Sequence, residues 1–204
     1  MSTVENQLDN ALRIGEIIES NTTRFVAGTY RLHEAPQFGA LVRAEGRDGC
    51  SAYGLVYNIE TTSREMSGRA LVRGRDGMFD QDIYAANPDL EAVLQTEFHV
   101  LIVGFCDGPV LRQHLPAFPP PVHYSVHLCD DGELHRFTER LQFCRTVLQA
   151  ADVPHEELVA AALRLAARSK PNPHAFLVDA GRALAMLLRE DHARLLAIVE
   201  RIRP

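Results

Sequence analysis

The spacing of apolar residues changes once along this chain, and that change limits the fold more than any other feature. Up to about residue 130 the apolar positions alternate, or run in short blocks of strand length, cut by Gly, Asn, Asp and Pro turns. From about residue 134 the spacing lengthens to a helical period. Strands are predicted over 12–18, 24–32, 39–45, 52–61, 69–73, 98–105 and 122–129. A single inserted helix is predicted near 80–97, with Leu90, Val93 and Leu94 on one face. Helices are then predicted over 137–151, from Pro154 to about Ser169, over 174–189 and over 190–202. Six or seven short strands leave exposed edges unless the sheet closes on itself. The expectation is therefore α+β: a small closed β-barrel over 1–130, followed by a helical tail over 131–204.

A chain of 204 residues can bury a core without disulfide or metal staples. No apolar run approaches the ~18 residues of a spanning helix. The opening MSTVENQLDN has neither a basic stretch nor an apolar one, so a cytoplasmic chain without a secretion leader is expected. The 4 cysteines (Cys50, Cys106, Cys129 and Cys144) show no C-x-x-C spacing and are read as reduced, buried thiols. Formal net charge is −6, which argues against a broad nucleic-acid surface. The acidity is concentrated in residues 80–133, where nine acidic residues accompany one basic residue, and is read as a solvated segment. Lys170 is the only lysine, which leaves almost no candidate for a catalytic amine.

The sequence contains no G-x-x-x-x-G-K-S/T phosphate loop, G-x-G-x-x-G turn, G-x-S-x-G elbow or H-E-x-x-H pair. No enzymatic activity, cofactor or metal is predicted. His114, His123, His127 and His135 fall close together in sequence. On an extended 122–129 strand, His123 and His127 would share a face but stand ~13 Å apart at ~3.3 Å per residue. That is too far to chelate one zinc, although a helix there would bring them together. Asp130-Asp131 is read as a turn before Gly132. Glu156-Glu157 is read as a first helical turn, where acids offset the dipole. Leu41-Val42-Arg43 before Gly46-Arg47-Asp48-Gly49, and Leu71-Val72-Arg73 before Gly74-Arg75-Asp76-Gly77, read as two similar hairpin turns.

Two groups of residues are candidates for contact. Pro116-Ala117-Phe118-Pro119-Pro120-Pro121 forms a stiff polyproline-like link. Within it Phe118, Pro119, Pro120 and Pro121 are candidate protein contacts, unless Phe118 instead plugs the barrel end. Arg136, Arg140 and Arg145, at i, i+4 and i+9 of one predicted helix, are candidate nucleic-acid contacts.

The run Arg13-Ile14-Gly15-Glu16-Ile17-Ile18-Glu19-Ser20-Asn21-Thr22-Thr23-Arg24-Phe25-Val26 resembles the start of a HAS-barrel, the N-terminal domain shared by HerA-type DNA translocases and ATP synthase subunits. Gly54-Leu55-Val56-Tyr57-Asn58-Ile59, Leu101-Ile102-Val103-Gly104 and Leu115–Val122 fit the same resemblance, which covers about residues 11–130. In those proteins a nucleotide-binding domain follows the barrel. Here about 70 helical residues follow, without a phosphate loop, so the ATPase activity is not carried over. The resemblance implies the barrel's other role, docking and ordering subunits around a ring and recruiting a partner such as a nuclease. The expected function is a non-catalytic adaptor or assembly protein. Its partner would be a ring-shaped ATPase, a nuclease or an ATP-synthase subunit, and it could itself be oligomeric. The alternatives are an accessory factor contacting DNA through the arginines, and an enzyme with an unrecognised site, which convergence of Asp107, His114 and His135 would signal.

Overall fold

The computed structural model describes residues 12–64, 68, 70–74 and 77–203. Six antiparallel strands close into a barrel: β1 (Arg13–Ser20), β2 (Arg24–Thr29), β3 (Leu41–Ala44), β4 (Cys50–Ser63), β5 (Leu94–Asp107) and β7 (Ser125–Leu128). Their order is β2-β1-β7-β3-β4-β5, and β5 returns to pair with β2 and shut the ring. A further short strand, β6 (Val110–Arg112), extends the edge of β5 beyond the end of β2. Five helices follow the barrel: α3 (Asp131–Phe137), α4 (Phe143–Gln149), α5 (His155–Arg168), α6 (Pro173–Leu187) and α7 (His192–Ile202). The fold is the α+β arrangement expected from the change of period.

The barrel interior is filled by side chains from alternate strand positions. Ile17, Phe25, Ala27, Val42, Ala44, Val56, Phe98, Val100, Ile102 and Val126 are buried together. A six-strand barrel has room for little else. β4 and β5 pair over almost their whole length, from Cys50 opposite Asp107 to Ser63 opposite Leu94. Register shifts at Tyr53/Gly54 and Val56/Asn58 let this long ribbon coil around the barrel. Gly54 is needed at the first shift, because a Cβ there would stand 2.8 Å from the Leu101 carbonyl oxygen.

The helical region is part of the same body as the barrel. The outward positions Leu41, Tyr53, Leu55, Leu101 and Val103 share one apolar cluster with Phe137, Phe143, Val147, Leu158, Leu163, Leu184 and Ile198. α5 is the hub of this layer, with Leu158–Leu163, Ala166 and Ala167 buried. Its alanines permit close approach to the barrel. Each fully buried Leu or Phe contributes about 1.5–3 kcal/mol, so the two layers stabilise one another strongly.

Several predicted elements differ from those observed. The inserted helix near 80–97 is two short helices, α1 (Gln81–Ala86) and α2 (Leu90–Val93), separated at Asn87-Pro88. Leu94 already belongs to β5, because β4 runs on to Ser63 and offers it a partner. The strand predicted at 69–73 is not formed by its described residues: Leu71 and Val72 are 83% and 89% exposed, with no strand beside them. Arg69, Arg75 and Asp76 lie outside the described residues. The helix predicted over 137–151 is interrupted between α3 and α4, where Thr138 Oγ1 donates to the Leu134 carbonyl at 2.6 Å and ends α3. Asp130 is an N-cap rather than a turn residue: its side chain accepts from Glu133 N, and Glu133 accepts from Asp130 N in return. The last strand is confined to Ser125–Leu128, and His123 occupies a turn with φ +67°.

Candidate protein-contact site at the barrel end

The proline-rich segment crosses one end of the barrel. Pro116 and Pro120 are buried, whereas Ala117, Phe118 and Pro119 between them are exposed. Fixed proline φ angles stiffen this arch, and its two buried ends hold the crest in place. Phe118 is at the crest, 80% exposed. It therefore does not plug the barrel.

A groove of about 560 Å³ runs beneath the arch. One wall is Pro116–Pro120, and the other is built from the ends of β4 and β5 and the turn before β4. Ala52 and Phe105 face each other across the ladder, and Cys50 lies opposite Asp107. Arg47 and Asp107 place one cation and one anion on an otherwise largely apolar lining. Burial, and then the charge of Asp107, pushes the Cys50 thiol up, which favours its protonated, apolar form in the groove wall. Phe105 is steadied by an edge contact with the His114 ring, centroids 5.1 Å apart. The groove thus offers a rigid aromatic crest beside an apolar trough, a combination suited to a protein surface.

Of the four predicted contact residues, Phe118, Pro119 and Pro120 line the groove. Pro121 is half-buried outside it, and its carbonyl accepts from Tyr124 N at 3.2 Å. Arg47, Cys50, Ala52 and Phe105 have no local signal, and Asp107 is a sequence candidate only for a catalytic cluster; Cys50 and Ala52 reach the groove through the β4–β5 pairing from some 60 residues upstream. The two 14-residue strands were the available signal, since their shared register brings Cys50 to Asp107.

The three predicted nucleic-acid contacts are distributed over two helices and the bend between them. Arg136 is on α3, Arg140 in the bend and Arg145 on α4, all exposed. The single-helix stripe at i, i+4 and i+9 is thereby broken. Arg136 and Arg140 line a second cleft together, and Arg145 does not.

A polar cluster occupies the seam between barrel and helices. Glu45 is paired with Arg43, and Arg43 Nε also lies 3.1 Å from Glu133 Oε1 on α3. Tyr53 Oη donates to the same Glu133 oxygen at 3.2 Å. His127, 2% exposed, places Nδ1 3.4 Å from Glu45 Oε1. The His127 ring holds the Glu45 carboxyl below the usual carboxylate range; burial opposes this, and Arg43 and Ser51 reinforce it. Burial and the neighbouring Glu133 charge push the Tyr53 phenol up, so it remains a donor. The cluster lines neither cleft, and its charges are spent on each other; it fastens α3 to β3, β4 and β7.

Among the described residues no group of three or more His, Cys, Asp or Glu side chains is placed to hold a metal ion. His123 faces Glu16 at 3.2 Å and His127 faces Glu45. Asp107 lines the barrel-end groove and His114 the second cleft, while His135 lines neither. Among the described residues no helix is long and apolar enough to cross a membrane. No protein-family model matches this chain, and no curated protein matches it.

Proposed function

We propose that this chain is a non-catalytic cytoplasmic adaptor whose barrel end docks on another protein. The observation that carries the reading is Phe118, a large aromatic held almost fully exposed on an arch whose ends are buried. Leaving an aromatic of this size in water on a stiff support forgoes about 1.5–3 kcal/mol of burial. A preformed partner surface recovers that energy without the cost of ordering a loop. The barrel and the resemblance of residues 11–130 favour a ring-shaped ATPase, or the nuclease that works with one, as the partner. Leu115, Val122 and Tyr124, each also substantially exposed, flank the arch in sequence.

The test is affinity capture of the wild-type chain and of Phe118→Ala from nuclease-treated extract of the native cell. The reading expects an ATPase or nuclease subunit retained by wild type and lost with Phe118→Ala. Identical recovery by both chains, or recovery of no such subunit by either, contradicts it.

A further inference from the structure

The second cleft has a character that the docking role does not account for. Its volume is about 620 Å³, and it lies between β6 with its continuation to His114 and the bend joining α3 to α4. Arg112, Arg136 and Arg140 line it, together with His114, Gln142 and a single carboxylate, Glu139. Arg112 is the one basic residue of the acidic segment 80–133. It comes to the cleft only because β6 folds back on the end of β5.

These three arginines differ from several others among the described residues. Arg43, Arg73, Arg182, Arg194 and Arg201 each meet a carboxylate. Among the described residues, Arg112, Arg136 and Arg140 have no ion-pair or hydrogen-bond partner for their guanidinium groups. All three are exposed. Three guanidinium groups without a direct partner, from two segments distant in sequence, thus share one recess in a chain of net charge −6. Glu139 subtracts one charge from the cleft, and part of its field falls on Lys170.

The walls are fixed. Gln113 Nε2 donates to the carbonyls of Phe137 at 2.6 Å and Arg140 at 2.9 Å, and its Oε1 accepts from Phe143 N at 3.0 Å. One side chain therefore joins the β6 side to both helix ends. Phe137, fully buried, closes the floor. The arginines need no loop closure to converge.

We infer that this cleft binds the phosphodiester backbone of a single polynucleotide strand. Guanidinium groups recognise phosphate oxygens in bidentate fashion. Three of them around one recess exceed what one free phosphate requires, and a strand offers several phosphates in succession. A single strand, whose backbone is not held in a helix, can bend its phosphates into such a recess. The inference does not depend on the docking role of Phe118.

The experiment is fluorescence anisotropy on the full chain with a labelled single-stranded oligonucleotide of about 20 nucleotides, from about 50 to about 200 mM salt. Three phosphate contacts predict a log–log salt slope of roughly −2 for a single strand, and each of Arg112→Gln, Arg136→Gln and Arg140→Gln should reduce it by about 0.7. Arg145→Gln, outside the cleft, should leave affinity and slope unchanged. Glu139→Gln should tighten binding on the order of two- to five-fold. Unchanged thermal unfolding of the exposed arginine variants separates lost binding from lost folding. The inference is overturned by no binding at low salt, by slopes insensitive to the cleft substitutions, or by a duplex binding as tightly as the single strand. Displacement of the oligonucleotide by a poly-glutamate peptide or by inorganic phosphate at matched charge also overturns it, and assigns the cleft to that anion.

Discussion

Arg43 of β3 and Glu133 of α3 form an ion pair across the seam between barrel and helices, Nε to Oε1 3.1 Å. Glu133 is also the third helical residue of the capping box begun by Asp130, so one carboxylate starts α3 and ties it to the barrel. Removing one member of a largely buried pair leaves the other charge stranded. Arg43→Ala is predicted to cost about 3 kcal/mol, read from urea unfolding. Asp130→Ala, which removes only the cap, should cost about 1 kcal/mol. Equal losses for both would show that the seam pair adds nothing beyond the cap.

Glu45 gives the seam a pH signature. Its folded carboxyl titrates below its ordinary value of 4.5, chiefly through His127. The group therefore stabilises the fold above that value, and its contribution is lost as pH falls through the lower folded value. Glu45→Gln should be less stable than wild type near neutrality, and the two stability curves should converge in acid. A constant gap from pH 7 downward would remove Glu45 from the account.

Gly39 sets how closely α5 approaches the barrel. Its φ is +84°, and a Cβ there would stand 2.5 Å from Ala161 Cβ and 2.9 Å from the Ala161 carbonyl carbon. Gly39→Ala combines left-handed strain with overpacking and should cost about 2–5 kcal/mol. Gly181 is the contrast: it is within α6 with nothing near a new Cβ. Gly181→Ala should stabilise by about 0.5–1 kcal/mol. Thermal or urea unfolding of the two variants checks both signs.

Phe118→Ala should leave folding untouched, because the ring is 80% exposed and joins neither apolar cluster. An unfolding midpoint within error of wild type is expected. A clear drop would mean that the ring is held against the protein in solution, and would remove the crest from the docking account.

The barrel was legible because alternation survives where one face of a strand is buried. Val42 and Ala44 point inward, and Leu41 and Arg43 outward, as the period of two requires. The same rule misled at Leu71 and Val72, where a strand-like pair has no neighbour to bond with. Leu94 was drawn into a helix by its spacing from Leu90, but the free edge of β4 claimed it. The break between α3 and α4 was hidden because Thr138, whose hydroxyl ends α3, is of a type common inside helices, and Gln113, which bonds both helix ends, is 24 residues upstream of Phe137. For the contact site, proline stiffness could be read from the local sequence, but whether Phe118 is exposed or plugs the barrel could not. Nor could the groove beneath them, since Cys50, Ala52 and Phe105 reach it only through strand register. The arginine cleft was half visible: Arg136 and Arg140 were chosen on a helical stripe that the fold breaks, and Arg112 gave no local sign.

The most direct test of the docking account is site-specific photo-crosslinking in the native cell, with Phe118→p-benzoylphenylalanine and, as control, the same substitution at Met186, which is equally exposed on α6. The account predicts a discrete crosslink from position 118 to a ring ATPase or nuclease subunit, absent from position 186. No crosslink at 118, or the same products from both positions, would contradict it.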